Sequence, residues 1–304
     1  METKKVIGFI LMFLVLGLVI LYWYFPTDPR EFKFEPNPST NFSENSSAEM
    51  QFYPNMRFPN KNISYSISEE CDIQKKSEML WAFEILEQET VLSFYENQEN
   101  AEINVFCEDK TKIENNMFIA GEGGPANVSL GEKFNIIMNG YILLLKKTDC
   151  ERPNVAIHEL LHVLGFEHSD NPKNIMYPVS KCNQVISEDM LAEINRIYAT
   201  ESLPDLAIES VSTSLQARFL DTDLIIENQG LKDSEDFVLE IYADNKSIEK
   251  MKIEAIKMSH GRIINITNIL IPQIRINTLK FVLETKSLEL DKKNNQIILE
   301  LNTN

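Results

Sequence analysis

The chain has 304 residues, 43% of them hydrophobic and 25% charged, with a formal net charge of −17. This length leaves room for about two domains, each large enough to bury a real core. The acidic balance excludes nucleic acid as a natural partner, because phosphate binding needs a basic surface, and reads as a soluble, self-repelling exterior.

Val6 to Phe25 contains no charged residue, and as a helix it would span about 30 Å, one bilayer core. Tyr22, Trp23, Tyr24 and Phe25 crowd its end, as in an aromatic belt at a membrane interface. A cleavable signal peptide is the rival reading, but its apolar region would be shorter and end in small residues. The expectation is an uncleaved transmembrane anchor over 6–25, with residues 1–5 as a cytoplasmic tip and the body extracellular. Lys4 and Lys5 favour that orientation only weakly, since Arg30 and Lys33 follow on the other side. Residues 26–50 are rich in proline, serine, asparagine and glutamate without hydrophobic periodicity, and read as an extended stalk.

A first folded domain is expected over 51–200. Asn62–Ile67 alternates like a strand, Asp72–Glu89 reads as a helix with Leu80, Phe83 and Leu86 on one stripe, and Ala101–Phe106 alternates again. Two more apolar segments follow, Met117–Ala120 and Phe134–Leu145. The chain then reaches its most specific run, His158-Glu159-Leu160-Leu161-His162-Val163-Leu164-Gly165-Phe166-Glu167-His168, which holds three of the four histidines. In a helix His158 and His162 share a face and can present both imidazoles to one ion. Glu159 lies beside them, where its carboxylate can reach an activated water without binding the metal. Gly165 can end the helix in the left-handed conformation, letting the chain return His168 as third ligand. Three protein ligands and one open position define a catalytic Zn2+ site rather than a closed structural one. Residue frequencies alone would produce this spacing in roughly one chain of this size in 10^5, which sets aside a helix with surface histidines.

Ser169 follows the third histidine directly, and Asn174-Ile175-Met176-Tyr177-Pro178 comes a few residues later. With the histidine run, these residues resemble the metzincin zinc peptidases and, through Ser169, their matrixin branch. The resemblance implies an α+β metzincin-like catalytic domain, a mixed sheet with a zinc-binding helix, carrying one catalytic Zn2+. It makes Met176 the methionine of a tight turn beneath the metal. Pro178 stands where astacin-type relatives carry a tyrosine ligand, so Tyr177 receives no such role. Ile186–Tyr198 looks like the closing helix of matrixin domains, and Ser187 as N-cap with Glu188 and Asp189 in the first turn supports a helix independently. Substrate would lie extended along an edge strand, expected at Phe118, Ile119, Ala120, Gly121 and Glu122. No histidine precedes His158, so the second zinc site of many animal matrixins does not carry over. Calcium stays open as a further ion, although no acidic loop of the required spacing is visible. The inhibitory cysteine of secreted matrixin propeptides has no counterpart in the sequence.

Cys71, Cys107, Cys150 and Cys182 lack metal-knuckle spacing and fit two disulfides in an oxidising compartment. Three connectivities are open; Cys71 with Cys107 and Cys150 with Cys182 is favoured, the latter bracketing the histidine helix and the methionine turn. Sequons stand at Asn41, Asn45, Asn62, Asn127, Asn245 and Asn265.

Residues 201–304 change texture. Short β-rich runs, Asp223–Glu227, Phe237–Ala243, Arg262–Ile269, Leu279–Glu284 and Ile297–Leu301, alternate with polar turns and predict an all-β immunoglobulin-like sandwich. Pro204-Asp205-Leu206, Asn228-Gln229-Gly230 and Asp291-Lys292-Lys293-Asn294-Asn295 resemble CARDB-type modules of prokaryotic surface proteins, which implies a surface partner for this domain. His260 lies in a polar turn and reads as a surface histidine. The combined expectation is a membrane-anchored zinc endopeptidase acting on extracellular protein or peptide, with Glu159 as general base. The alternatives are a surface adhesion or ligand-binding protein on a non-proteolytic metzincin scaffold, and a zinc hydrolase of non-protein cell-wall material.

Overall fold

The structure is a computed structural model that describes residues 2–24, 30–34, 50–110, 112–114, 117–146, 150–273 and 275–301. Phe25, most of the expected stalk, and the sequons Asn41 and Asn45 lie outside the described residues. Helix α1 spans Glu2–Tyr24, and its described side chains, Val6 to Ile20, are all exposed. Among the described residues no helix is long and apolar enough to cross a membrane.

Two compact units follow. One comprises Ser39–Pro204 with Gln229–Lys232; the other comprises Met1–Pro38, Asp205–Asn228 and Asp233–Asn304. The second unit therefore contains strand β1, Arg30–Phe34, which lies in the segment expected as stalk. Its register runs antiparallel to a distant strand, from Arg30 opposite Leu215 to Phe34 opposite Val211. The cause is a short alternation: Glu31 and Lys33 are exposed, while Phe32 and Phe34 pack against the apolar core of that unit.

The first unit is built on a mixed sheet. Its strands are β2 (Met56–Arg57), β3 (Asn62–Ile67), β4 (Ser93–Glu96), β5 (Ile103–Cys107), β8 (Gly121–Ser129) and β9 (Asn135–Leu144), with β6 (Lys112–Glu114) and β7 (Met117–Ile119) forming a separate ribbon. The main order is β2-β9-β5-β3-β4, all parallel, and β8 joins β9 antiparallel. Among the described residues, no strand pairs with the other edge of β8.

Helix α2 spans Ile73–Glu89 and starts where Asp72 accepts hydrogen bonds from the Gln74 and Lys75 amides. Met79, Ala82, Phe83 and Leu86 enter the core, whereas Leu80, expected there, is 47% exposed. Helix α3 spans Asn154–Val163 and is buried along its whole length. Helix α4 spans Glu188–Tyr198. Ser187 occupies its N-cap position but makes no cap bond; its hydroxyl instead accepts from the Asn174 amide at 3.1 Å. The other end of α4 is closed by the buried Arg57 guanidinium, which donates to the Ile197 and Thr200 carbonyls and lies over the Tyr198 ring. Carbonyls at a helix end otherwise lack partners, so a buried cation there satisfies both groups.

The disulfides are Cys71–Cys107 and Cys150–Cys182. The second joins the loop before α3 to the loop before α4, and beside it the Asn154 side chain donates to the Lys181 carbonyl at 2.7 Å.

The second unit is a sandwich of two antiparallel four-stranded sheets. Strands β10 (Leu206–Gln216), β11 (Phe219–Asn228) and β14 (Gly261–Leu270) follow β1 in one sheet, and β13 (Lys246–Ile253), β12 (Phe237–Ala243), β15 (Thr278–Glu284) and β16 (Gln296–Glu300) form the other. Strand β11 alternates buried and exposed positions, the mark of a sheet with one dry face. The turn between β12 and β13 uses Asp244 and Asn245 at φ 44 and 64, residues that accept the left-handed region. Three sequence features meet at one polar knot: the Asn228 side chain accepts from the Asp205 amide and donates to the Ile256 carbonyl, while Asn294 donates to the Asp205 carboxylate. His260 is exposed, as expected.

Candidate metal centre

Helix α3 carries His158, Glu159 and His162 through the interior of the first unit, and the two histidines are 6% and 8% exposed. The helix stops at the expected place. Gly165 adopts φ +95, and a Cβ there would meet the Met56 side chain at 2.9 Å, so the position needs glycine for both conformation and space. The turn swings the chain back and brings His168 to the helix face.

The three Nε2 atoms converge: His158 to His162 is 3.0 Å, His162 to His168 is 3.1 Å, and His158 to His168 is 3.3 Å. Nitrogens bound tetrahedrally to zinc at about 2.0–2.1 Å stand roughly 3.3 Å apart, so the spacing fits one shared ion. The other ring nitrogens set the tautomer. His158 Nδ1 donates to the Ile175 carbonyl and His162 Nδ1 to the Phe166 carbonyl, each at 2.7 Å, which turns the Nε2 lone pairs toward the common point. Burial holds both imidazoles neutral, with His158 and His162 lowered to about 4. His168 is also lowered, chiefly by desolvation. Neutral imidazole is the ligand form.

The turn after the motif does more than cover the site. Met176 is fully buried, its amide donates to the Asn174 side chain, and its carbonyl accepts from the Ser169 amide. The same turn supplies the Ile175 carbonyl that orients His158. Asn174, known from sequence only as a neighbour of Met176, is thus a hub that shapes the turn and reaches Ser187.

Glu159 is 6% exposed, and burial first, then the Glu122 carboxylate, pushes its carboxyl up to about 8. It lies against the start of β8. A Cβ on Gly121 would stand 2.8 Å from the Glu159 Cγ, and one on Gly123 would stand 2.4 Å from the Glu159 carbonyl oxygen. These two glycines let the helix approach the edge strand. Glycine inside a strand is a sequence signal for such approach, which could have singled out Gly123. Gly123→Ala is expected to destabilise the domain by about 3 kcal/mol, about 10 °C in Tm, while Gly124→Ala, which meets nothing within 4 Å, should be near neutral. Thermal unfolding of both variants checks this; equal Tm values would contradict the close packing.

The five residues expected as substrate strand are divided. Phe118 and Ile119 belong to β7, which pairs only with β6 among the described residues. Ala120 connects, its carbonyl accepting from the Leu145 amide, and Gly121 and Glu122 open β8 on the sheet edge. Glu122 forms an ion pair with Lys112.

Residues 57–199 match the family model of the matrixins, peptidase family M10, over the segment that holds the three converging histidines. That segment is matrixin-like, and the family is one of metallopeptidases. The C-terminal region is similar to two solved domains. One is the CARDB domain of a Pyrococcus furiosus protein in complex with di-metal ions, at 10% identity and TM-score 0.27, covering 32% of this chain and 86% of that one. The other is a domain of a protein described as a cell surface protein from Methanosarcina acetivorans, at 18% identity and TM-score 0.27, covering 32% of this chain and 91% of that one. A search of curated proteins gave no match.

Proposed function

We propose that this chain is a zinc-dependent endopeptidase, held at a membrane by its N-terminal helix and working outside the cell on extended segments of protein. The observation that carries the reading is the convergence of three Nε2 atoms within 3.3 Å beside a buried glutamate and a strand edge unpaired among the described residues. His158, His162 and His168 would hold the ion. When bound, zinc supplies a Lewis acid that activates water and polarises a carbonyl.

The chain's own residues do the rest. The Ile175 and Phe166 carbonyls fix two imidazoles, so the donor set is formed before any ligand arrives. Glu159 takes the proton of the attacking water on its carboxylate and returns it to the leaving amine. Burial disfavours its ionised form, and a cation held by the three neutral imidazoles would favour it. Gly121 and Gly123 let Glu159 lie close against the strand on which a substrate backbone would pair.

Two features support the location. The sequence continues the exposed apolar helix Val6–Ile20 through Leu21 to Phe25 without a charge, and two disulfides suit an oxidising compartment. Release of the chain from membranes by an alkaline wash would contradict the anchor. For the activity, the purified chain is expected to cut an unstructured protein at internal bonds and to stop when a chelator is added. Intact substrate, or cutting that ignores the chelator, would overturn the proposal.

A further inference from the structure

Strand β1 ties one end of the sandwich to the N-terminal helix. Its first residue, Arg30, lies six positions after Tyr24, the last residue of α1, and six chain steps reach at most about 21 Å. Arg30 pairs with Leu215, beside the hairpin in which Gln216 faces Phe219. The other end of that sheet starts at Leu206, nine residues from Leu215 and so about 30 Å along the strand. Standing on its Leu206 end, the sandwich would lift Arg30 about 30 Å from a bilayer that holds α1, beyond the reach of the connection. The hairpin end is within that reach.

We propose that the hairpin end of the sandwich is a membrane-contact surface, with Phe219 and Leu270 set into the headgroup layer of the bilayer that holds α1. The inference rests on the anchor proposed above. It adds a second, peripheral contact, made by strands that lie far from the anchor in sequence.

The patch is apolar, contiguous and braced from behind. Phe219 on β11 and Leu270 on β14 are directly opposed and are 49% and 53% exposed. Opposed residues of neighbouring strands carry their side chains on one face, so the two form one patch. Their neighbours Leu220 and Ile269 are buried, which places that patch on the outer face of the sheet. Pro272 is exposed just beyond it. The hairpin is fastened to the turn after β14. The Ile271 amide donates to the Arg218 carbonyl at 2.8 Å, and the Arg218 guanidinium donates to the Ile271 and Pro272 carbonyls at 3.0 and 2.6 Å. A patch ordered in advance loses little freedom on contact.

The charges at this end suit a lipid surface. Strand β16 runs from the Leu206 end, where the Ile208 amide donates to the Asn294 carbonyl, to Glu300 opposite Thr278 at the hairpin end. The turns of the second sheet that lie there expose Lys246 and Arg275, cations that lipid phosphates attract. Two of the nearby carboxylates are engaged by backbone: Asp221 accepts from the Asn268 amide, and Asp244 from the Asn277 and Thr278 amides. Glu300 is the exposed acid among them.

The test uses the full-length chain in vesicles of equal phosphatidylcholine and phosphatidylglycerol. All four native cysteines are in disulfides, so Phe219→Cys, Leu270→Cys and Leu288→Cys each supply one thiol for an environment-sensitive fluorophore. Leu288 is 73% exposed and stands at the Leu206 end, where the Leu206 amide donates to the Glu289 carboxylate. Lipids brominated in the upper acyl chain should quench the labels in place of Phe219 and Leu270 by about twofold or more, and leave the label in place of Leu288 unchanged. Quenching no greater at the first two positions than at the third, in chains that float with the vesicles, would overturn the contact surface and leave the anchor standing. Chains that do not float with the vesicles would overturn the anchor and this inference together, so the two failures are distinguishable.

Discussion

Glu159→Gln is expected to leave zinc bound at one equivalent and to lower kcat by about 10³-fold or more, the scale of a lost general base. The argument starts from burial. Glu159 is 6% exposed and its charged form is disfavoured, so a neutral amide of the same shape removes a penalty rather than adding one. The amide also keeps the contacts with Gly121 and Gly123 that position α3 against β8. Folding and metal binding should therefore survive, and only the proton acceptor is gone. Atomic absorption together with turnover of a peptide separates these effects. A variant whose kcat stays within tenfold of the parent would contradict the role given to Glu159.

His168→Ala is expected to lower metal affinity by well over 10²-fold, since removing even an orienting partner of a ligand costs 10- to 100-fold. His168 is the informative choice among the three. It is exposed and stands outside the helix, whereas His158 and His162 are buried in the core, where truncation would also leave a cavity. Loss of zinc on dialysis, with unchanged helix content, would assign the third ligand. Unchanged metal stoichiometry would contradict it.

The convergence of the three histidines was legible in the sequence because its geometry is local. His158 and His162 are one helical turn apart, and Gly165 was placed to reverse the chain; the structure gives it φ +95. The favoured disulfide pairing also matches, each bridge joining cysteines consecutive in the sequence, with separations of 36 and 32 residues. What escaped was non-local. Arg30–Phe34 is five residues long, and its partner Val211–Leu215 is far along the chain, so no window of sequence could show that Phe32 and Phe34 have a core to enter.

The edge strand was only partly placed, for a related reason: Gly121 and Glu122 open it, but Phe118 and Ile119 belong to another ribbon. Met117–Ala120 has the better β composition, while the three glycines of Gly121–Gly124 weaken a strand signal until α3 is laid against them. Ser187 has the composition of an N-cap, yet its hydroxyl is taken by Asn174, whose role depends on the methionine turn being formed. Tertiary contact overrode local preference in both cases. Phe52 and Tyr53 belong to the same class, apolar residues whose exposure beside a ligand histidine only the fold reveals.

The most direct test of one catalytic ion held by three imidazoles is a metal titration. The chain is stripped with a chelator, the chelator is removed, and cutting of an unstructured protein is followed as zinc is added back. Activity should rise in proportion to zinc and level off at one equivalent per chain, with no such rise in His162→Ala. Cutting by the stripped chain, or a plateau only at two or more equivalents, would contradict it.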